Sequence, residues 1–576
     1  LLFLVLALLC CAEADLTIYR DSYGVPSIQA QSLADAAYGL GYAMAQDGAE
    51  QMARNFKLAR GRISEVDGKA LLMQDSLVRS FGFEEVAERK AQTLSGEPKL
   101  LLESFCAGAD RALKENQDKL PAWIEPFTAA DVLALAQLVN AVFPLLDLAQ
   151  QLLPGTGSNQ FAISARRSAN GHAILSIDPH LDWSGTMSWY EFAWYTPDFN
   201  FRGITFYGLP FGVMGHTDKV AWCMTNNNPD LYDIYTVKTN PDNPKQYSYH
   251  GEWRDFEDVK TQFRYIENGE MKTQTQNIRR TAWGPMLPLR SQAAFFSMID
   301  SWEILEEPLK MARAKDAAEF RAALVPPGLS MWNIVYADIN GNIGYQYNAR
   351  LPKRDESVDW TKPVDGSDPK TKSGELWALD TLPHSENPES GLLVNCNSTP
   401  WQTWLPKDAP KTAWPRYVST YGPTTRSERL SSLLAADKKI SVKEAMRYAT
   451  DTQVPYARET VAALQRAVPP DSPLNGALQV LTKWDKRADV GSRGTALFRY
   501  WLRGPGNTQI DLARKAAIGT EWSDTERELA LKALETAAAD LLRDYGRLDI
   551  PWGDVQRSAR GTKDVPCAGF ATGSIV

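Results

Sequence analysis

Histidine is scarce. The 576 residues hold five, at positions 172, 180, 216, 250 and 384. No two stand four residues apart, so an HExxH zinc helix is excluded. Cysteine is scarce too. Of six, Cys10 and Cys11 fall in an apolar start, and Cys106, Cys223, Cys396 and Cys567 are scattered. Four such cysteines are no disulfide framework; one or two bridges would suit an oxidising compartment, with pairing unreadable from sequence. Blocks of Lys and Arg are missing, and 62 basic against 70 acidic residues give a net charge of -8, which argues against a nucleic-acid partner. There is no G-x-S-x-G elbow, which speaks against an α/β-hydrolase triad, and no Walker A or dinucleotide fingerprint. The apolar stretch 132–153 is interrupted by Gln137, Asn140, Pro144, Asp147, Gln150 and Gln151, so no membrane span is expected.

What is present is an ordinary globular composition, 44% hydrophobic and 23% charged, with 18 Trp, 21 Tyr and 34 Pro. The aromatics and prolines suggest loop-rich β structure. Residues 1–11, LLFLVLALLCC, followed by Ala12-Glu13-Ala14, read as a signal-peptide core and cleavage site over 1–14, clipped at its front. The mature protein then starts near Asp15, and the expected location is periplasmic or secreted. Leu16–Ala30 reads as two short strands. Ser32-Leu-Ala-Asp35 resembles a capping box and opens helical sequence that continues to about Val142. Pro144, Pro154, Gly155 and Gly157 break that pattern. Beyond them, Phe161–Ser164 and His172–Ile177 alternate around Asn170-Gly171, a hairpin signal. Strand-like sequence follows at Trp189–Tyr195, Thr205–Tyr207 and Val220–Thr225, and a second hairpin, Ile334–Tyr347, turns at Asn340-Gly341. Residues 353–390 read as a long excursion. Helices return from Thr425, with a capping box at Ser441–Glu444, and run to about Leu542. Phe570 and Ile575 suggest a further strand, and the chain is expected to be truncated at its end.

Gly155-Thr-Gly-Ser-Asn159 stands where helical sequence gives way to the first hairpin. Alone it is a flexible turn leading into a strand. In context it is more. Ser158-Asn-Gln-Phe-Ala-Ile-Ser, the Asn-Gly turn and Asp178-Pro-His-Leu181 together resemble the penicillin and cephalosporin acylase family of N-terminal-nucleophile hydrolases. So do Ile18–Pro26, Gly39–Gln51, Ala59–Glu65, Trp222–Tyr235, Met331–Tyr345 and Asn395–Pro400. The blocks keep the family's order over about residues 16–550.

The resemblance implies an α+β fold, an αββα sandwich of two antiparallel sheets with a mainly helical N-terminal segment. It implies an α-subunit segment over 15–143, a spacer over 144–157, and a catalytic segment over 158–576 that includes a helical part at about 425–545. The precursor would cut itself after Gly157 and yield a heterodimer. Ser158 would then offer both a hydroxyl nucleophile and a free α-amine. That amine titrates near about 8, low enough to act as a base near neutrality. His180 matches a residue that orients this nucleophile; the plainer alternative is a histidine capping a loop after Pro179. A histidine here leans towards relatives that accept aliphatic acyl chains. The backbone N–H of Asn226 and the side-chain amide of Asn333 match oxyanion donors, though a polar turn and a strand-edge asparagine would look the same. Arg354 matches an arginine that buttresses Asn333, with Arg350 as a rival. Asp230, Tyr232 and Asp233 match a calcium site found in many relatives, oxygen ligands suited to a hard cation; Asp147 is the nearest match to a further acidic ligand, and a solvated acidic loop is the alternative. No organic cofactor is implied. The expected reaction is hydrolysis of a linear amide in a small N-acyl substrate, such as an acyl-homoserine lactone, a β-lactam or an acylated peptide. The alternatives are a secreted serine hydrolase with a conventional triad, and an unprocessed, non-catalytic binding relative.

Overall fold

A computed structural model describes residues 16–148, 157–287, 290–299, 301–372, 374–503, 508–560 and 562–569. The expected signal peptide, most of the expected spacer, and Phe570 and Ile575 lie outside the described residues. So does the side chain of Asp147.

The chain divides into two compact units. Among the described residues, one comprises 16–148, 160–177 and 182–422; the other comprises 157–159, 178–181 and 423–569. The first unit is built on a nine-stranded sheet. Its order is Leu16–Arg20, Pro26–Ala30, Trp189–Tyr195, Asn200–Phe206, Met214–His216, Val220–Asn226, Met331–Asp338, Ile343–Ala349 and His384–Glu386. Every junction is antiparallel except one: Pro26–Ala30 runs parallel to Trp189–Tyr195, with Ser27 opposite Ala193. Met331–Asp338 and Ile343–Ala349 are buried along their whole length. They therefore read as nearly continuous apolar runs rather than alternating ones.

The N-terminal segment covers this sheet with helices. Leu33–Ala59 is capped by Ser32, whose hydroxyl accepts from Asp35 N–H at 3.1 Å. It packs against Gly96–Glu115. The two approach so closely that a Cβ on Gly41 would lie 2.0 Å from Phe105 O, and one on Gly108 would lie 1.9 Å from Tyr38 O. Only glycine fits at these two crossings.

Ala129–Leu148 runs straight through Pro144, where a break was expected. Val132–Ala141 is buried throughout, and apolar packing outweighs the lost backbone bond. Ala129–Leu146 is long and apolar enough to cross a membrane, but 72% of it is buried inside the protein, as in a core helix.

A three-stranded sheet follows the order Leu392–Asn395, Gly157–Ile163, Ile174–His180. The expected first hairpin exists, but its connection spans 164–173 and is no two-residue turn. Asn170 Oδ1 accepts from His172 N–H at 3.1 Å, and Gly171 has φ +76°. A long two-stranded ribbon, Glu257–Glu267 with Glu270–Arg280, was not anticipated. Its turn is Asn268-Gly269, both with positive φ, as a type I′ hairpin requires.

The second unit is helical from Thr425 to Tyr545, with helices Thr425–Ala436, Val442–Ala449, Ala457–Ala467, Asn475–Lys483, Thr495–Trp501, Thr508–Ala517 and Asp524–Tyr545, and a short antiparallel ribbon of Arg557–Arg560 and Lys563–Pro566 follows. Ser441 with Glu444 and Ser523 with Glu526 form complete capping boxes. Leu464, Leu481, Phe498, Trp501, Leu534 and Leu541 are fully buried in its core, each worth about 1.5–3 kcal/mol of transfer free energy. No disulfide joins Cys106, Cys223, Cys396 and Cys567.

Candidate active site

Three polar groups hold the residues singled out by sequence, one in the second unit and two in the first. In the second unit, Ser158 is buried at the start of the strand Gly157–Ile163. Its hydroxyl donates to Gly157 O at 2.5 Å. The next residue, Asn159, presents its two amide ends to different partners. Oδ1 accepts from Arg426 Nη1 at 2.7 Å, and Nδ2 lies 3.4 Å from His180 Nε2. Arginine is only a donor, so the oxygen must face it and the nitrogen must face the histidine. His180 Nε2 is also 2.9 Å from Asp178 Oδ2. One ring nitrogen cannot donate to Asp178 and accept from Asn159 at once. The shorter bond to the carboxylate prevails, with Nε2 protonated. Among the described residues His180 therefore bonds to Asp178, has the Asn159 amide as a neighbour without a hydrogen bond, and makes no hydrogen bond to Ser158.

In the first unit, Asn226 and Asn333 lie on the adjacent strands Val220–Asn226 and Met331–Asp338, with Thr225 opposite Asn333. Asn333 is fully buried. Its Nδ2 has three acceptors around two N–H groups: Asn395 Oδ1 at 3.0 Å, Thr225 Oγ1 at 3.2 Å and Asn226 O at 3.4 Å. Its Oδ1 accepts from Tyr345 OH at 2.7 Å. Burial holds the Tyr345 hydroxyl far above the usual phenol range, so it stays a donor. Asn227 N–H bonds to Met331 O, which makes Asn226 and Trp332 a pair without mutual hydrogen bonds. The Asn226 N–H accordingly points away from the Met331–Asp338 strand. Two donors, a main-chain N–H and a side-chain amide, thus come from neighbouring strand residues.

Sequence reasoning missed the supports of this pair. Gln160, two residues after Ser158 on its strand, donates to Asn333 O at 2.9 Å and to Thr225 Oγ1 at 3.3 Å. Asn395 accepts from both Asn333 and Thr225. Both residues stood inside recognised sequence blocks, and nothing local distinguished them. Arg426 lay in no recognised block at all.

Arg354 does not sit beside Asn333. Its side chain has 0% exposure. It bonds to Asp233 Oδ1 at 3.1 Å and to Asp230 O at 2.8 Å, with Asp230 Oδ1 at 3.4 Å. Trp360 and Tyr417 flank it, with ring centroids 5.6 and 5.3 Å from its guanidinium carbon. Arg350 turns instead to Pro327 O and Glu303. Neither arginine buttresses Asn333; Thr225, Asn395 and Tyr345 do.

The same placement bears on calcium. Asp230 and Asp233 face a guanidinium that already supplies the positive charge, and Tyr232 packs edge-on against Phe296 at 5.6 Å. Burial pushes the Asp233 carboxyl up, and Arg354 pulls it back down. A dication would meet a like charge here, so the residues as arranged do not fit calcium. Among the described residues, no group of three or more His, Cys, Asp or Glu side chains is placed to hold a metal.

Comparison with known proteins follows the same line. The penicillin amidase family model matches residues 15–572. Penicillin acylase 2 proenzyme of Pseudomonas sp. strain SE83 is 26% identical, covering 85% of this chain and 71% of that one. Acyl-homoserine lactone acylase QuiP of Pseudomonas syringae pv. syringae is 24% identical over 95% of this chain and 76% of its own. A thermostable penicillin G acylase structure from Alcaligenes faecalis superposes with a TM-score of 0.54 at 24% identity, covering 68% of this chain and 80% of that one. That likeness carries the α+β fold of a penicillin acylase. With a family model spanning nearly its whole length, the chain belongs to the penicillin amidase family of amide hydrolases.

Proposed function

We propose that this protein is an exported, self-processing acylase that hydrolyses the linear amide of a small N-acyl compound. The acyl-homoserine lactones and β-lactams named for its relatives are the first candidates. The observation that carries the reading is the Ser158 hydroxyl held at 2.5 Å from the carbonyl oxygen of Gly157, next to the bond it would break.

In the processing step Ser158 Oγ attacks the Gly157 carbonyl carbon, and the C–N bond to the Ser158 nitrogen breaks. The hydroxyl proton passes to that nitrogen. Water then hydrolyses the resulting ester, freeing a Gly157 carboxylate and restoring the hydroxyl. Glycine leaves that carbonyl unhindered.

In the hydrolytic cycle the new α-amine takes the Oγ proton as Oγ attacks the substrate carbonyl. The Asn226 N–H and Asn333 Nδ2, the latter exchanging one of its ground-state acceptors for the substrate oxygen, stabilise the oxyanion, each worth about 3 kcal/mol of barrier. Collapse passes the proton to the departing amine and leaves an ester on Ser158. Water, deprotonated by the same amine, then releases the carboxylic acid. His180, fixed by Asp178, packs beside Asn159, the residue that follows the nucleophile. The products of processing are an α chain and a β chain that begins at Ser158.

The test is a denaturing gel of the expressed protein with N-terminal sequencing, run beside an assay on acyl-homoserine lactones and β-lactams of graded chain length. Two fragments, one starting Ser-Asn-Gln-Phe, together with release of free acid support the reading. An intact chain that still hydrolyses these amides refutes self-processing.

A further inference from the structure

The oxyanion role uses only the main-chain N–H of Asn226 and leaves its side chain without a task. The residue is buried, 6% exposed, at the end of the strand Val220–Asn226. Its Oδ1 accepts from two donors, the main-chain N–H of Asn228 at 3.1 Å and the hydroxyl of Tyr421 at 2.9 Å. A main-chain N–H can only donate, so the oxygen must face Asn228 and the nitrogen must face the other way. The main-chain oxygen of Asn226 is engaged too, by Asn397 Nδ2 at 3.1 Å. The side-chain nitrogen, Nδ2, is buried and has no hydrogen-bond partner among the described residues.

An orphaned N–H is rarer in folded proteins than an under-satisfied carbonyl oxygen, and each one calls for an explanation. This protein follows that rule at its other buried carboxamides. At Gln160, Asn227 and Asn348 the unpartnered atom is the oxygen, while the nitrogen is bonded. Asn226 is the single inversion among the described residues. The local turn does not require it. A serine at this position would accept from the Asn228 N–H and strand no carboxamide donor. The missing partner of Nδ2 is then a ligand rather than a piece of the fold.

That ligand's geometry is bounded by the asparagine itself. The two nitrogens of one asparagine lie at most about 5 Å apart. A substrate whose scissile oxygen sits on the main-chain N–H therefore meets Nδ2 with an atom a few bonds further along. We propose that Asn226 Nδ2 is a specificity-determining donor that selects N-acyl substrates carrying a second carbonyl oxygen within about 5 Å of the scissile one. A 3-oxo group on the acyl chain supplies such an oxygen, and so does the ring carbonyl of a lactone or lactam on the amine side. Tyr421 is the positioning residue, because its hydroxyl fixes which way the carboxamide faces. The inference rests on the Asn226 N–H being an oxyanion donor. A substrate without the second oxygen leaves a buried donor unpaired, which sets an expected preference of about tenfold.

The experiment measures kcat/KM of the full chain on two matched pairs, at the acyl length it cleaves best. The 3-oxo-acyl against the plain acyl homoserine lactone tests the acyl side. The plain acyl homoserine lactone against the same acyl amide of 3-aminotetrahydrofuran, which lacks only the ring carbonyl, tests the amine side. The wild type should prefer the oxygen-bearing member of one pair by about tenfold, and the pair that shows it names the source. Asn226→Ala removes Nδ2 and should cut that preference at least threefold. Asn226→Asp, which keeps the acceptor for Asn228 and Tyr421, should do the same, and Tyr421→Phe should cut it about threefold. The ratio is the readout, because weaker folding, processing or oxyanion support lowers both members of a pair alike. A wild type with no preference above threefold in either pair overturns the proposal, as does a preference in Asn226→Ala reduced less than threefold. If Asn226→Ala fails to fold or to be cut, Asn226→Asp decides by the same threshold. If both fail, Tyr421→Phe decides, and full wild-type preference there overturns the proposal. A wild type that cleaves none of the three compounds sinks the reading of its substrates, whereas cleavage of all three without preference sinks only the Asn226 side chain.

Discussion

Replacing Asn333 by leucine tests the oxyanion assignment with little change of volume. Leucine keeps the branch at Cγ and removes both the N–H donors and the carbonyl. In the folded ground state four partners lose a bond: Asn395, Thr225, Asn226 and Tyr345. Asn395 Oδ1 keeps the Thr225 hydroxyl at 2.8 Å, so the main loss falls on the Tyr345 hydroxyl. One buried polar group deprived of its partner costs about 1–3 kcal/mol. In the transition state the loss is one oxyanion donor, about 2.7–4 kcal/mol, or a hundredfold to a thousandfold in kcat. The two effects separate experimentally. Thermal denaturation should show a midpoint lowered by a few degrees, while kcat at room temperature falls a hundredfold or more with KM nearly unchanged. Tyr345→Phe is the companion variant. It leaves the Asn333 amide intact but frees its oxygen end, so kcat should drop about tenfold. A folded Asn333→Leu protein with kcat within threefold of wild type would refute the donor role.

Further outcomes follow from other residues. Ser158→Ala should remain one uncut, inactive chain on a denaturing gel, whereas Ser158→Cys should still be cut but hydrolyse poorly; activity retained in the cysteine variant counts against Ser158 as nucleophile. Glu307 is completely buried and pushed up to about 8 by desolvation, against the N–H groups of Gly328 and Leu329 and the Asn348 amide. Its folded value lies above the ordinary 4.5, so the native state holds the proton longer than the unfolded one. Stability from this group is whole below about pH 4.5 and falls by up to about 1.4 kcal/mol per unit as pH rises towards 8. Glu307→Gln should flatten that slope in urea titrations at pH 5, 6.5 and 8, and an unchanged slope removes Glu307 as its source. Arg354→Met should cost about 3–5 kcal/mol, because it strands the buried Asp233. A chelator should leave the melting temperature of the wild type unchanged; a fall of several degrees on chelation, reversed by calcium, would show that a cation binds after all.

Local signals in the chain were readable, and long-range ones were not. The capping boxes at Ser441 and Ser523 obey a three-residue rule, and Ser441–Glu444 was visible in advance. So were the strand pair at Leu16–Ala30 and the Asn340-Gly341 turn. The ribbon at 257–280 escaped notice although Asn268-Gly269 marks its turn, because its strands carry mostly polar and charged residues on an exposed surface. Pro144 misled for the opposite reason: burial of the surrounding helix overrode a local breaker. In the site, Ser158, Asn226 and Asn333 stood out through family blocks. Gln160 and Asn395 act through partners 62 to 173 positions away, and Arg426 lies 268 positions from Ser158. No periodicity reports such distances. Arg354 was placed wrongly because its sequence neighbourhood says nothing of the turn at Asp230 against which it folds.

The parallel junction between Pro26–Ala30 and Trp189–Tyr195 has a consequence for molecularity. It joins sequence on either side of the proposed cut into one sheet, with Tyr190 donating to Asp47 at 2.7 Å and Asn55 to Tyr207 O at 2.9 Å. The uncut chain assembles that junction in a first-order reaction, its two edges tethered together. After cleavage the same junction re-forms only by encounter of two separate polypeptides, at a rate set by their concentrations. Native pairing would outlast the proposed cut, but the folding path would not. The mature enzyme should therefore recover poorly from complete unfolding under dilute conditions, where its precursor recovers well, and its persistence is governed by how slowly it opens rather than by how well it refolds.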